Sequence, residues 1–205
     1  MCTLDSILTE SAKHHKHLCP RQVLGARMGL FAAELLGIEL PRRDKRLLVI
    51  SETDGCAVDG LIAATGCRVG SRTLRILDFG KVAAAFIDTC AKTSIRIVPS
   101  CQVRSLALEY ASNVRNHWEA MLLGYQSMPA RELFVIQHVE LDMSLSEILS
   151  RPGKKATCES CREEIINGRE VLKGGVVLCR ACAGESYYHF LALSEIPQAE
   201  IMFMP

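Results

Sequence analysis

The chain has 205 residues, 49% of them hydrophobic, with 24 Lys and Arg against 23 Asp and Glu. That apolar share can build a buried core and excludes a disordered chain, and the near-zero net charge excludes a global field that would steer the protein to nucleic acid or an acidic membrane surface. No apolar run approaches the ~20 residues that cross a bilayer, and the opening MCTLDSILTE is too acidic and polar for a signal peptide, so a soluble cytoplasmic protein is expected. Ten cysteines in a reducing compartment are poor material for disulfides and better material for metal binding or thiolate chemistry.

Along the chain, HHKHLCP (14–20) sets three of the six histidines against Cys19 and Pro20. Lys16 interrupts the run and a helical pattern follows it directly, so it reads as native sequence and not as a purification tag. In PRQVLGARMGLFAAELLG, Leu24, Met28, Phe31 and Leu35 fall on one helical face that Gly37 closes, with Cys19 at the N-cap and Pro20 at the first helical position. Gly25 and Gly29 in that helix permit close helix packing. RLLVISE (46–52) reads as a buried strand, and CAVDGLIAATG (56–66) as a helix that begins at Cys56 and ends at Gly66.

Three strand-like runs follow at 73–80, 82–90 and 94–100, separated by turn residues, which predicts a mostly antiparallel sheet. Val103, Leu106, Tyr110, Val114, Trp118, Met121 and Tyr125 keep helical spacing over 102–126, predicting one long helix or two joined ones. MPARELFVIQHVEL adds a short helical turn and a further strand. DMSLSEILSRPGKKAT turns polar and carries Pro152 and Gly153, so a linker is expected there, dividing an α+β core domain (1–150) from a cysteine-rich unit (151–205).

In that unit CESC (Cys158, Cys161) and CRAC (Cys179, Cys182) are 17 residues apart, the spacing of a structural zinc site. Each two-residue gap turns two sulfurs toward one ion, and four thiolates complete a tetrahedron with no open position, so no chemistry is expected at that zinc. Turns at Gly168 and Gly174-Gly175 predict a hairpin between the pairs, and AGESYYHFLAL predicts a helix after them. That order resembles a treble-clef zinc finger. Residues 151–205 hold seven basic and seven acidic residues, which argues against phosphate binding and for fold stapling or docking of a protein partner.

In the first domain, Cys19 and Cys56 are both predicted at helix N-termini, where unpaired N–H groups and the macrodipole favour a thiolate. On an extended segment His15, His17 and Cys19 share a side, and imidazole with sulfur suits zinc or another borderline metal. Asp59 serves equally well as a functional group or as a first-turn acid favoured by the dipole. Cys2, Cys90 and Cys101 read as small buried hydrophobes, His14 as surface, and His117, His138 and His189 as surface or satisfied core.

The runs HHKHLCPRQVLGARMG and DGCAVDGLIAATGCRVGSRTLRILDFGKVAAAF resemble the FmdE-like family of formylmethanofuran dehydrogenase subunits over about residues 10–140. The likeness rests on an H-x-H-x-C-P element, a C-x-x-D segment, a T-G-C turn and a D-x-G-K strand. It implies an α+β core with a C-terminal treble-clef finger, and it places functional residues at His15, His17, Cys19, Cys56, Asp59 and Cys67, lining one cleft that holds a second metal. Lys16 and Arg21 stand where the family carries glycine, and Arg68 where it carries threonine. The two cations make the mouth basic and suit it to an anionic small molecule.

The resulting expectation is a dimeric metalloprotein, an enzyme or enzyme subunit of one-carbon or redox metabolism, in a family whose members resemble accessory subunits of a complex reducing carbon dioxide onto methanofuran. Cys19, Cys56 and Asp59 would be the reactive groups. The alternatives are a non-enzymatic metal-binding or docking module and, less favoured, a transcription regulator.

Overall fold

The computed structural model describes residues 3–13, 15, 17–111, 113–149 and 153–191, without the side chains of Ser146 and Glu147. It divides into two compact units, Met1–Leu149 and Ser150–Pro205. Among the described residues no helix is long and apolar enough to cross a membrane.

The first unit begins with α1 (Leu4–Ala12), an element that the apolar spacing had not singled out. Thr3 caps it, its hydroxyl accepting the Ser6 N–H at 3.3 Å, and Ile7, Leu8 and Ser11 turn inward. Helix α2 (Pro20–Leu36) runs as expected from Cys19 to a left-handed Gly37. Strand β1 (Leu47–Ser51) leads to α3 (Ala57–Thr65), which ends on left-handed Gly66. Helices α2 and α3 pack backbone to backbone: a methyl group at Gly25 would strike the Ala57 carbonyl, and one at Gly60 the Gln22 carbonyl. Only glycine permits that approach.

Next come β2 (Leu74–Ile76), β3 (Ala84–Asp88) and β4 (Thr93–Pro99). The region expected as one or two helices over 102–126 is a single turn, α4 (Val103–Leu106), and a separate α5 (His117–Ser127). Asparagines break the pattern: Asn113 takes a left-handed φ of 57°, and the Asn116 side chain caps α5 by accepting the Glu119 N–H at 2.9 Å. A short α6 (Ala130–Leu133) feeds β5 (Phe134–His138).

The five strands stand in the order β2-β1-β3-β4-β5, with only β1 and β2 parallel, so the fold is α+β with a mostly antiparallel sheet. Alternation along the strands sorts two apolar faces. Leu47, Val49, Ala84, Phe86, Ile95 and Ile97 meet the helices in the main core. Leu48, Ile50, Ala85 and Ile87 face the other way and are covered by Ile148. Ile148 belongs to α7 (Leu145–Ile148), inside the stretch expected to be a polar linker. The apolar pair Leu145 and Ile148, three apart on one helical turn, draws this segment onto the sheet, and Arg75 donates to the Ile148 carbonyl.

In the second unit β6 (Lys155–Thr157) pairs with β7 (Glu164–Ile166), bracketing the first cysteine pair, and β8 (Val171–Lys173) pairs with β9 (Val176–Leu178) around Gly174-Gly175. Gly168 turns the chain between the hairpins with φ 63°. The helix expected over 183–193 is only one wide turn, Ala181–Glu185, broken by Gly184 at φ 113°. Residues 192–193 and the apolar tail EIMFMP lie outside the described residues, as does Cys2.

Candidate metal centre and ligand cleft

The four finger sulfurs of Cys158, Cys161, Cys179 and Cys182 lie within 4.8 Å of one another, and Cys161 and Cys179 are 3.9 Å apart. Tetrahedral zinc with Zn–S bonds of ~2.3 Å requires sulfurs about 3.8 Å apart, so the set fits such an ion. Backbone N–H groups already point at the sulfurs: Cys179 donates to Cys158 Sγ at 3.3 Å and Cys182 to Cys179 Sγ at 3.4 Å. The amides of Cys161 and Cys179 hold the buried Cys158 thiol down at about 6, ready to ligate near neutral pH. The Glu163 amide pulls Cys161 the same way, but burial and the thiols of Cys158, Cys182 and Cys179 push it up to about 12. A single ion able to deprotonate all four resolves that crowding.

In the core unit two helix N-termini converge on one cleft. Cys19 precedes α2 in extended conformation with Pro20 at the first helical position, and Cys56 precedes α3. Both cysteines line the same cleft. Gln22 fixes Cys19: its Oε1 accepts the Cys19 N–H at 2.9 Å, and its Nε2 donates to the Ser11 carbonyl at 2.9 Å and to Ser11 Oγ at 3.0 Å, tying α1 to the site. The spacing Cys19-x-x-Gln22 is a capping-box pattern that could have revealed this buried residue. Cys56 is held through the preceding loop, where Ser51 Oγ donates to the Thr53 carbonyl at 2.8 Å and Gly55 N–H to Thr53 Oγ1 at 3.1 Å.

The Cys19 thiol is not the depressed, activated sulfur that a helix N-terminus suggests. Burial raises it above its ordinary value and Cys56 adds to the rise, outweighing the Gln22 and Arg21 amides that pull it down. Cys19 therefore stays protonated unless a bound cation displaces the proton.

His15 pairs with Asp59, Nε2 to Oδ2 at 2.6 Å. Asp59 is three residues after Cys56, on the same side of the first turn of α3. His17 is exposed and meets the Trp118 ring edge-on with centroids 6.0 Å apart. Among the described residues only the finger cysteines bring three or more donor groups within 4.8 Å, so the core site consists of pairs and not of a closed shell. Lys16 and His14 lie outside the described residues.

Cys67 does not line the cleft. It follows α3 at the end opposite Cys56, is 1% exposed, and sets its thiol 3.5 Å from the Leu47 carbonyl. Nine helical residues, about 13 Å, separate the two sulfurs' positions. Burial also raises the Cys67 thiol, as suits a core side chain. Conversely Cys90 and Cys101, read as buried hydrophobes, are exposed, and Cys101 reaches the cleft wall.

The cleft encloses about 930 Å³ between these helix ends and the loops that leave β1, β2 and β4. Arg21 and Arg104 place cations on its rim, Asp54 and Asp78 place acids on the opposite loops, and Trp118 and Tyr125 supply an aromatic wall from α5. Arg27 on α2 holds that wall by donating to the carbonyls of Tyr125, Gln126 and Met128 at 2.9, 2.7 and 2.7 Å. Asp78 opens the D-x-G-K element of the sequence, whereas Arg104 and Asp54 carry no periodicity or spacing that singles them out; the fold gathers all three.

A family described as "FmdE, Molybdenum formylmethanofuran dehydrogenase operon" matches residues 14–135, more than half of the chain. The chain belongs to the FmdE family. The matched span contains Cys19 and Cys56, the His15–Asp59 pair, and the sheet up to the first residues of β5. A "Probable S-adenosyl-L-methionine-binding protein" of Archaeoglobus fulgidus is 30% identical over 208 residues, covering 90% of this chain and 54% of that protein. The chain thus spans about half the length of this relative. In fold, this FmdE-family chain is similar to the crystal structure of a "tungsten formylmethanofuran dehydrogenase subunit e (fmde)-like protein" from Syntrophus aciditrophicus, with a TM-score of 0.60 at 20% identity, covering 92% of this chain and 96% of that one.

Proposed function

We propose that the core unit is a metal-dependent small-ligand-binding module, in which Cys19 and Cys56 hold a soft or borderline ion at the floor of the cleft and leave coordination positions open to a ligand. The convergence of Cys19 and Cys56 on one cleft, each at a helix N-terminus, carries this reading. Two sulfurs are too few to close a tetrahedron, so His15 or His17 completes the protein's share and Asp59 orients His15. Arg21 receives an anionic group at the mouth, with Lys16 as its expected neighbour. The finger ion is zinc and structural.

The ligand class follows from the rim. Cations at Arg21 and Arg104, acids at Asp54 and Asp78, and the rings of Trp118 and Tyr125 suit a zwitterion with a flat apolar part, and about 930 Å³ has room for a nucleoside-sized molecule. The Archaeoglobus relative's description as an S-adenosyl-L-methionine-binding protein names one such compound. We place the protein in the cytoplasm, as a homodimeric enzyme or enzyme subunit of one-carbon or redox metabolism.

Metal analysis of the pure full chain beside a Cys19→Ser variant tests the core site. Two ions per chain, falling to one in the variant, is the expected result; one ion in both forms overturns it. Sedimentation that finds only monomer at micromolar concentration removes the homodimer.

A docking role for the finger is the second reading. Tyr187 and Phe190 are 96% and 86% exposed, and both meet Tyr188 edge-on, at 5.1 and 5.5 Å between centroids. Such rings suit a protein partner.

A further inference from the structure

A second cavity, of about 270 Å³, lies at the end of α3 remote from Cys56, lined by Arg43, Gly66, Arg68, Ser71 and Thr73. Two segments build it: the loop before β1 and the turn that carries α3 into β2. They are fixed to each other, since the Arg42 N–H donates to the Thr65 carbonyl at 2.8 Å and a methyl group at Gly66 would meet the Arg42 carbonyl at 2.8 Å. The turn is closed on itself. The Thr73 and Leu74 N–H groups both reach the Arg68 carbonyl at 3.2 Å, and the Arg68 N–H donates to Thr73 Oγ1 at 3.0 Å. The walls are therefore set before any ligand arrives.

Charge is concentrated here although the whole chain is at +1. The two segments supply Arg42, Arg43, Lys45, Arg46, Arg68 and Arg72. Asp44 takes up Arg42, and Asp88 takes up Arg46 at 2.9 Å; Glu39 is the remaining acid close to Arg42. Among the described residues no side-chain hydrogen bond or ion pair engages the guanidinium of Arg43 or Arg68, the two that face the cavity. The C-terminus of α3 opposes an anion with about half a negative charge, which two full positive charges outweigh. That opposition is further reduced because the Ile62 and Thr65 carbonyls already accept the Gly66 and Arg42 N–H groups, at 2.9 and 2.8 Å.

We propose that this pocket binds a small phosphate-bearing anion. Two planar guanidinium forks match the several oxygens of a phosphoryl group bidentately, and the Ser71 hydroxyl adds a donor on the rim. A dianion draws more from two guanidinium groups than a single carboxylate does. The volume admits a phosphoryl group with a small organic body and excludes a macromolecular anion from the interior. The site is independent of the thiol cleft, which lies beyond the length of α3.

Titration calorimetry of the full chain with inorganic phosphate, glycerol phosphate and acetate at low ionic strength tests this. One saturable phosphate or phosphate-ester site per chain is expected, with a Kd of about 1 mM or tighter. The tighter of the first two ligands then identifies free phosphate or an ester as the source. Arg43→Gln combined with Arg68→Gln should weaken binding at least about tenfold, with the unfolding midpoint unchanged because both side chains are exposed. Ser71→Asp, which adds a carboxylate to the rim, should abolish binding, and Arg21→Gln with Arg104→Gln in the thiol cleft should leave it intact. Undiminished binding in the Arg43/Arg68 variant, loss only in the Arg21/Arg104 variant, acetate binding as tight as phosphate, or the absence of a saturable site would each overturn the assignment.

Discussion

His15 and Asp59 are 44 residues apart in sequence, yet Nε2 of the first lies 2.6 Å from Oδ2 of the second. The pair ties the arm that precedes α2 to the first turn of α3, the two elements whose ends carry Cys19 and Cys56. A carboxylate behind a histidine fixes the ring's orientation and raises its basicity, the usual support of a metal-bound imidazole. If the core holds the proposed ion, Asp59→Asn should leave the fold and the finger in place and weaken binding of that ion by roughly 10–100-fold. Chelator competition on wild type and variant measures it, and equal core-ion affinity in the two would mean that Asp59 merely favours the start of its helix.

Gly60 has no functional group, but it sets where Cys19 sits. Its Cα faces the Gln22 carbonyl and the Ala26 N–H, and Gln22 in turn holds the Cys19 N–H. Gly60→Val would force α2 from α3 against backbone atoms that cannot rotate away, a cost of about 3 kcal/mol. The measurement is urea unfolding, paired with the reaction rate of Cys19 toward a thiol reagent in the folded state. Lower stability with faster modification is expected; a variant that matches wild type in both would show the helix contact to be loose.

These helices also show what the sequence could and could not disclose. Helix α2 was legible from Leu24, Met28, Phe31 and the stop at Gly37, because an amphipathic repeat and a left-handed glycine are local signals. The finger was legible because the ligands of one ion come in two short, fixed gaps. Helix α1 and the docking of α7 were not assigned, since each is short and gains its stability from tertiary burial of two or three side chains. The break before α5 rests on Asn113 and Asn116, which override an apolar period that continues through them. In the cleft, Cys19 and Cys56 were visible as helix starts. The direction of the Cys19 shift was not, because burial is a property of the assembled cleft, and it overcomes the helix end. Cys67 was grouped with them by family motif alone, whereas α3 carries it to the far side.

Glu52, the residue after β1, anchors the loop that presents Thr53, Asp54 and Cys56. Its carboxylate accepts from Arg96 Nε at 2.5 Å and Nη2 at 2.7 Å, while its carbonyl accepts the Phe79 and Lys81 N–H groups at 3.0 and 3.1 Å. The Arg96 guanidinium holds this carboxyl below its ordinary range. A folded value below the unfolded one means stabilisation fully present above the unfolded carboxyl's pKa of about 4.3, fading as pH falls through the folded value. Glu52→Gln should therefore cost about 1 kcal/mol at neutral pH and progressively less as pH falls below about 4.3. Thermal unfolding of both proteins across that range checks it, and a difference independent of pH would assign the effect to packing.

The finger makes the sharpest claim about metal. Among its described residues the unit forms two short hairpins and buries only Cys158 and Ile165 of its apolar side chains, so ligation is expected to supply much of their folding free energy. Cys158 is the keystone: it is the buried sulfur of the four, and the amides of Cys161 and Cys179 hold its thiol at about 6, so it is ready to ligate near neutral pH. Cys158→Ser should release the ion and expose residues 153–191 to limited proteolysis, while the core unit keeps its helical signal and its cooperative transition. Acid should do the same to the wild type, with metal release steeper than one proton per ion because each thiolate must regain its own. Retention of stoichiometric metal by Cys158→Ser, or a protease-resistant finger after metal removal, would show that the hairpins hold without the ion.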